Sequence, residues 1–179
     1  NSVIVNDDDG EEYTNGWFTG CEKLSSVKLS DNMSDIPPYT FSGCTNLKNI
    51  TFPNGVKAIH QHAFSDCLSL TSITIPDTVE FISYGAFDNC QNLTSVNLPN
   101  QLKAVFNEAF DCKNLKSITI PRSVENILYC AFGYYWDDEA GKSVKIPDFK
   151  IKCYKGTAGE EYAKENSFDY ELLDAHTHS

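Results

Sequence analysis

The chain has no apolar run of 18 residues, so no segment reads as a membrane-spanning helix. It also opens without the charged-then-apolar pattern of a secretory leader. Basic residues are scarce: 14 Lys and Arg stand against 25 Asp and Glu, a formal net charge of −11. So acidic a chain is poorly suited to phosphate backbones, which excludes nucleic acid as a partner class. Catalytic signatures are missing as well. There is no His-Glu-x-x-His, no Gly-x-Ser-x-Gly and no glycine loop that could cradle a phosphate. Ser, His and Asp occur, but none in a nucleophile context, so neither an enzyme nor a bound cofactor is expected. Apolar residues are not lacking. At 41% of 179 residues they suffice for one domain with a full core, and they argue against disorder.

What is present is a repeat. Cys21, Cys44, Cys67 and Cys90 are 23 residues apart, and Cys112 follows after 22. Each is followed at fixed offsets by a leucine (Leu24, Leu47, Leu70, Leu93, Leu115) and a β-branched residue (Val27, Ile50, Ile73, Val96, Ile118). Two positions on stands another large apolar one (Leu29, Phe52, Ile75, Leu98, Ile120), and then, in four copies, Pro53, Pro76, Pro99 and Pro121. A second apolar pair, such as Val79 and Ile82, precedes the closing Phe41, Phe64, Phe87, Phe110 or Phe132. A fixed period in the twenties is the mark of a solenoid.

The spacing dictates the shape of one coil. Leu-x-x-Ile-x-Ile passes from a turn-like period of three to a strand period of two. Ile73 and Ile75 then share one face of a short strand and Thr74 takes the other. Proline ends the strand because it has no N–H for the ladder. One coil cannot bury its own apolar side chains, so neighbours must stack, with strands about 4.8 Å apart in a parallel ladder. Leu-x-x-Ile-x-Ile-Pro, closed by Ala-Phe-x-x-Cys, resembles the BspA-like leucine-rich repeat family over roughly Val3 to Phe132. The resemblance implies a surface or secreted protein of a host-associated bacterium or protozoan, acting in adhesion and protein binding. Where that family often has glycine, after the Ile of the second half-coil, this chain has Pro37, His60, Ser83, Phe106 and Leu128, which places bulky, varied groups outside.

The expected fold is therefore an α/β leucine-rich repeat solenoid, right-handed, of about five 22–23-residue coils with a small β-α-β C-terminal cap. Residues 1–20 form a partial repeat or N-terminal cap, 21–132 the repeats and 133–179 the C-terminal cap, all one structural domain. Ser2-Val3-Ile4-Val5 reads like the Ser72-Ile73-Thr74-Ile75 strand and Trp17-Phe18 stands where Ala-Phe belongs, so the chain starts within a motif and its true start is expected upstream. Residues 1–12 carry five acids and no base; 13–136 carry ten acids and eight bases; 137–179 carry ten and six. The repeats are nearly neutral and the ends acidic, as solvated caps on a solenoid would be. Asn6-Asp7-Asp8-Asp9-Gly10 reads as an Asp-Gly turn, because Val5 occupies the first acidic position that a calcium loop needs. Thr157 with Glu160 reads as a capping box opening a short helix to about Glu165, and Phe149–Tyr154 and Phe168–Leu172 alternate like strands. The stretch from Tyr154 to Asn166 also resembles the C-terminal cap of many BspA-like proteins of gut Firmicutes.

The five repeat cysteines are expected to stack as buried free thiols, since ladder side chains point alike rather than at each other. Cys130 and Cys153 lie outside that stack and are open to pairing with each other in a secreted chain. His60 and His62 put two imidazoles on one side of an extended segment, but a metal needs further ligands and none recurs in neighbouring coils, so no metal site is expected. His176 and His178 fall in a loose tail. Two surfaces remain. The open sheet face is small, polar and uniform. The back turn is varied and partly aromatic, and its Tyr39, His60, His62, Tyr84, Phe106 and Tyr129 are candidate partner-binding residues. Tyr134, Tyr135 and Trp136 are added to them, either covering the end of the core or forming a ligand platform. The expected role is a monomeric, non-catalytic, extracellular or cell-surface binding module. Its ligand would be a protein, such as a host matrix or plasma protein, with a polysaccharide-binding or spacer segment as the alternative.

Overall fold

The computed structural model describes the strand Ser2–Val5 by its backbone and residues 16–174 throughout. The Asn6–Gly10 turn and the tail with His176 and His178 lie outside the described residues. The front of the solenoid is a row of parallel strands: Ser2–Val5, Ser26–Leu29, Asn49–Thr51, Ser72–Thr74, Ser95–Asn97 and Ser117–Thr119. Registers follow the repeat: Val3 pairs with Val27, Val27 with Ile50, and Ile73 with Val96. Ser72 and Thr74 are exposed while Ile73 and Ile75 are buried, as the period of two requires. The back is a five-stranded parallel ladder of two-residue strands, Asp35–Ile36, Ala58–Ile59, Phe81–Ile82, Ala104–Val105 and Asn126–Ile127. Proline turns the chain between them, with Val79, Leu102 and Val124 donating N–H to the carbonyls of Pro76, Pro99 and Pro121.

Phenylalanine forms the spine. Phe18, Phe41, Phe64, Phe87, Phe110 and Phe132 make one column with ring centroids 5.7, 5.3, 5.1, 5.0 and 5.3 Å apart and nearly parallel planes. The last five are fully buried. Each such burial contributes roughly 1.5–3 kcal/mol of transfer free energy, and each ring pair about 1 kcal/mol beyond it. The cysteines stand beside this column. Cys44, Cys67, Cys90 and Cys112 donate Sγ–H to the carbonyls of Phe18, Phe41, Phe64 and Phe87 at 3.1, 3.4, 3.1 and 3.3 Å. The repeat thus needs a small side chain with a weak donor at that position. Burial pushes the Cys44 thiol up to about 11 and also raises the Cys67 and Cys90 thiols well above the ordinary thiol value.

Three expectations change, and the open question of Cys130 and Cys153 is answered. Cys21, at the end of the stack, is exposed rather than buried. Cys130 and Cys153 are separate buried free thiols. Cys153 continues the front ladder, since Ile118 pairs with Ile151 and Thr119 with Lys152, placing Cys153 level with Ile120; Cys130 sits in a back turn at φ 52°. The capping box does not form: Thr157 donates Oγ1–H to the Tyr154 carbonyl instead, and Glu160 accepts the Gly156 N–H. The strand Asp169–Leu172 is exposed at every position, because among the described residues it is the outermost strand of its sheet.

The C-terminal end is built by an insertion. The front strand after Ser117–Thr119 is Lys150–Cys153, 33 residues on rather than 22 or 23. The excess is an antiparallel hairpin, Tyr134–Asp137 with Lys142–Lys145. The helix Ala158–Glu165 then crosses to the last strand, Asp169–Leu172, parallel to Lys150–Cys153. Among the described residues no helix is long and apolar enough to cross a membrane.

Candidate functional site: the back turns

Each back strand runs into a turn that leads to the closing Ala-Phe. The residue just before that pair (Thr-Phe in the first turn) takes a left-handed conformation in every turn from Tyr39 onward: Tyr39 φ 59°, His62 51°, Gly85 57°, Glu108 54° and Cys130 52°. Four of the five therefore carry the cost of a side chain there. The turns are held by the ladder itself, as Tyr39, His62, Gly85 and Glu108 donate N–H to the carbonyls of Gln61, Tyr84, Asn107 and Tyr129 in the next coil. This rigid register projects the side chains outward.

Three predicted residues meet in one stack. The Tyr39 and His62 rings lie 5.2 Å apart and roughly parallel, and the Tyr84 ring meets His62 edge-on at 4.9 Å. Gly85 makes that packing possible, since a Cβ there would fall 2.5 Å from His62 Cε1. The two imidazoles do not converge. His62 Nδ1 faces Asp88 at 3.7 Å, and His60 Nε2 faces Asp35 at 3.6 Å. Among the described residues no three His, Cys, Asp or Glu side chains form a metal-holding group.

Tyr84, Phe106 and Tyr129 are exposed, at 44%, 38% and 69%. Two further exposed apolar side chains, Phe81 and Leu128, belong to the same surface. Ladder pairing of Phe81 with Ala104 and Ile82 with Val105 sets Phe106 across from Ser83, one diagonal step from Phe81. Phe81 is absent from the sequence-derived set. Its signal was a large apolar residue at a strand position where the neighbouring coils have Asp35, Ala58, Ala104 and Asn126. Glu108 is a second omission: it raises the Tyr84 phenol by its negative charge, and it accepts Ser143 Oγ–H at 3.4 Å, tying the turns to the hairpin.

The three adjacent aromatics divide. Tyr134 packs edge-on to Phe168 at 5.4 Å and donates its hydroxyl to Asn166 at 2.8 Å, on the covered end of the core. Tyr135 is half-buried with Lys113 Nζ 5.2 Å over its ring, and Trp136 is exposed. Asp88 and Asp111 stand one above the other in successive coils. Burial raises both carboxyls, Asp111 to about 6, with the Trp136 N–H pulling it back and Asp88 and Glu108 pushing it further up.

A profile of the BspA type leucine rich repeat region matches residues 11–135 in six copies. The chain belongs to the BspA-type leucine-rich repeat family. The strand Ser2–Val5, which pairs in register with Ser26–Leu29, lies N-terminal to the matched residues. Among solved structures, the fold is shared with the T. pallidum leucine-rich repeat protein at 24% identity and TM-score 0.62, covering 97% of this chain and 86% of that one. A leucine-rich cell surface protein of Faecalibacterium prausnitzii matches at 28% identity and TM-score 0.57, over 79% of this chain and 45% of that one. The pneumococcal vaccine antigen PcpA matches in fold at 17% identity and TM-score 0.66, over 97% and 42%. The BspA-type chain thus spans less than half the length of the last two. No curated protein matches it. Its repeats are those of bacterial surface proteins, a fold consistent with a protein-interaction module.

Proposed function

We propose that this BspA-type solenoid is a non-catalytic, monomeric protein-binding module, displayed on a bacterial surface or secreted, whose partner seats on the back turns. The observation that carries the reading is the run of exposed large apolar side chains on consecutive coils, Phe81, Tyr84, Phe106, Leu128 and Tyr129. Aromatic anchors on a rigid frame are the residues that dominate interfaces. A ladder already ordered by backbone hydrogen bonds loses little conformational freedom on binding. Tyr39, His60 and His62 border the stripe and would set its specificity. The surface location is supported by the Faecalibacterium prausnitzii relative, itself described as a cell surface protein.

The test is binding of the purified chain to immobilised host matrix and plasma proteins. Saturable binding that is lost in a Tyr84→Ala/Phe106→Ala variant of unchanged thermal stability supports adhesion through this face. Binding that survives the double substitution, or no binding to any such protein, overturns it.

A further inference from the structure

The coil from Cys90 to Cys112 is one residue short, and a recess opens beside it. Between Phe110 and Cys112 stands only Asp111, where the preceding coil has Asp88 and the left-handed Asn89. The hairpin crosses at this point, and the Trp136 backbone N–H donates to both Asp111 carboxylate oxygens, at 3.0 and 2.9 Å. The Trp136 indole N–H donates to Asp138 Oδ1 at 3.1 Å. The indole is therefore oriented by two anchors and yet 53% exposed. Beside it opens a recess of about 400 Å³ whose walls include Gln91, Lys113, Tyr135, Trp136, Asp138 and Glu139.

We propose that this recess binds a neutral sugar, one or two rings of a glycan, with Trp136 as the stacking plane. A sugar ring offers an apolar C–H face to an aromatic plane and a rim of hydroxyls that both donate and accept. Its volume is at the lower end of small-molecule sites, roughly 300–1,000 Å³, enough for a disaccharide. Charge narrows the class. Asp111, Asp137, Asp138 and Glu139 line the recess against Lys113 alone, so uronates and sulfated sugars are repelled.

A basic side chain would be drawn by the same charge, but several of the carboxylate oxygens already accept hydrogen bonds. Asp111 is taken by the Trp136 N–H, Asp137 Oδ1 by the N–H groups of Glu139 and Ala140, and one Asp138 oxygen by the indole. Lys113 lies over the face of Tyr135 and keeps ammonium N–H groups to donate. The Gln91 amide oxygen, Glu139, the second Asp138 oxygen and the Lys113 ammonium remain, the Gln91 amide nitrogen being held by Asn89 Oδ1 at 2.9 Å; this mixture of donors and acceptors matches hydroxyls.

The experiment is an NMR titration of the full chain with cellobiose, maltose, lactose and N,N′-diacetylchitobiose, beside glucuronate and Nα-acetyl-arginine amide. The expected result is a saturable shift of the Trp136 indole N–H with at least one neutral disaccharide, Kd on the order of 1 mM. The amide shifts of Asp111 and Tyr135 follow the same curve, and Trp136→Ala weakens it at least tenfold while leaving thermal stability unchanged. The Tyr84→Ala/Phe106→Ala variant keeps it, which separates this site from the protein-binding face. No shift with any neutral disaccharide, a response to glucuronate or the arginine amide alone, or binding that persists in Trp136→Ala overturns the proposal.

Discussion

The Tyr162 hydroxyl closes the phenylalanine column at Phe132: it donates to the Phe132 carbonyl at 2.7 Å and accepts the Phe132 N–H at 3.1 Å. In the coils before it the corresponding N–H groups go to the next coil, Phe41 to Ala63, Phe64 to Ala86, Phe87 to Ala109 and Phe110 to Ala131. One phenol from the cap helix thus stands in for a whole missing coil, and its ring meets Phe132 edge-on at 6.3 Å. Burial holds the phenol protonated. Tyr162→Phe keeps the ring and orphans both backbone groups, so a loss of about 1–3 kcal/mol is expected in urea unfolding. A loss no larger than that of an exposed Tyr→Phe control, such as Tyr170→Phe, would mean that water serves Phe132 equally well.

Thiol reactivity should separate the cysteines. Burial raises Cys44, Cys67 and Cys90, so little thiolate forms at them, while Cys21 is exposed. In the native protein one thiol, Cys21, is expected to react quickly with an aromatic disulfide reagent, and the other six only after unfolding. A Cys130–Cys153 bridge in the secreted protein would instead leave five reactive thiols in denaturant without reductant.

Gly85→Ala should disturb the Tyr39–His62–Tyr84 stack. The added Cβ lies 2.5 Å from the His62 ring, and the ring is confined by Tyr39 and Tyr84. Neighbouring turns tolerate side chains at the same positive φ, so the backbone alone accounts for about 1 kcal/mol. The clash should bring the total to about 2 kcal/mol. Pairing the substitution with His62→Ala removes the clash, and the cost of Gly85→Ala measured in that background should fall to the backbone share.

Asp111 makes stability depend on pH. Its carboxyl keeps the proton to about pH 6 in the folded chain, against an ordinary value of 3.8. Between those values the folded state binds more protons than the unfolded one, so stability falls as pH rises and levels off above about 6. Asp111→Asn should flatten that fall by on the order of 1 kcal/mol, an amount reduced by the group's partial exposure to solvent. Urea midpoints from pH 4 to 7 give the comparison. An identical slope in the variant would place the effect elsewhere, with Asp88 next in line because burial raises it too.

Much of the coil could be read in advance because each position repeats. Val27, Ile50, Ile73 and Val96 announce one column, and the period of two says which neighbours face water. The back-turn candidates could be read as a surface but not as contacts: Tyr39, His62 and Tyr84 meet only because Gly85 leaves room, and His60 does not join them. Phe81 is not legible as a surface anchor in the sequence because its column is otherwise small or polar, which hides a lone apolar residue inside a strand pattern. The capping box failed because Thr157 and Glu160 each had a nearer partner, the Tyr154 carbonyl and the Gly156 N–H.

By itself, then, the order of residues determined the solenoid, its ladders and its buried columns. A coil with seven apolar side chains has no means of burying them except against copies of itself. The tertiary structure decided what breaks the repeat: the hairpin beside Asp111, the separation of Tyr134 from Trp136, and Tyr162 at Phe132. Contacts between neighbouring coils are repeated at one spacing and so are written into the period. These contacts join segments with no shared period, and only the packing of the insertion and the helix on the last coil brings them together.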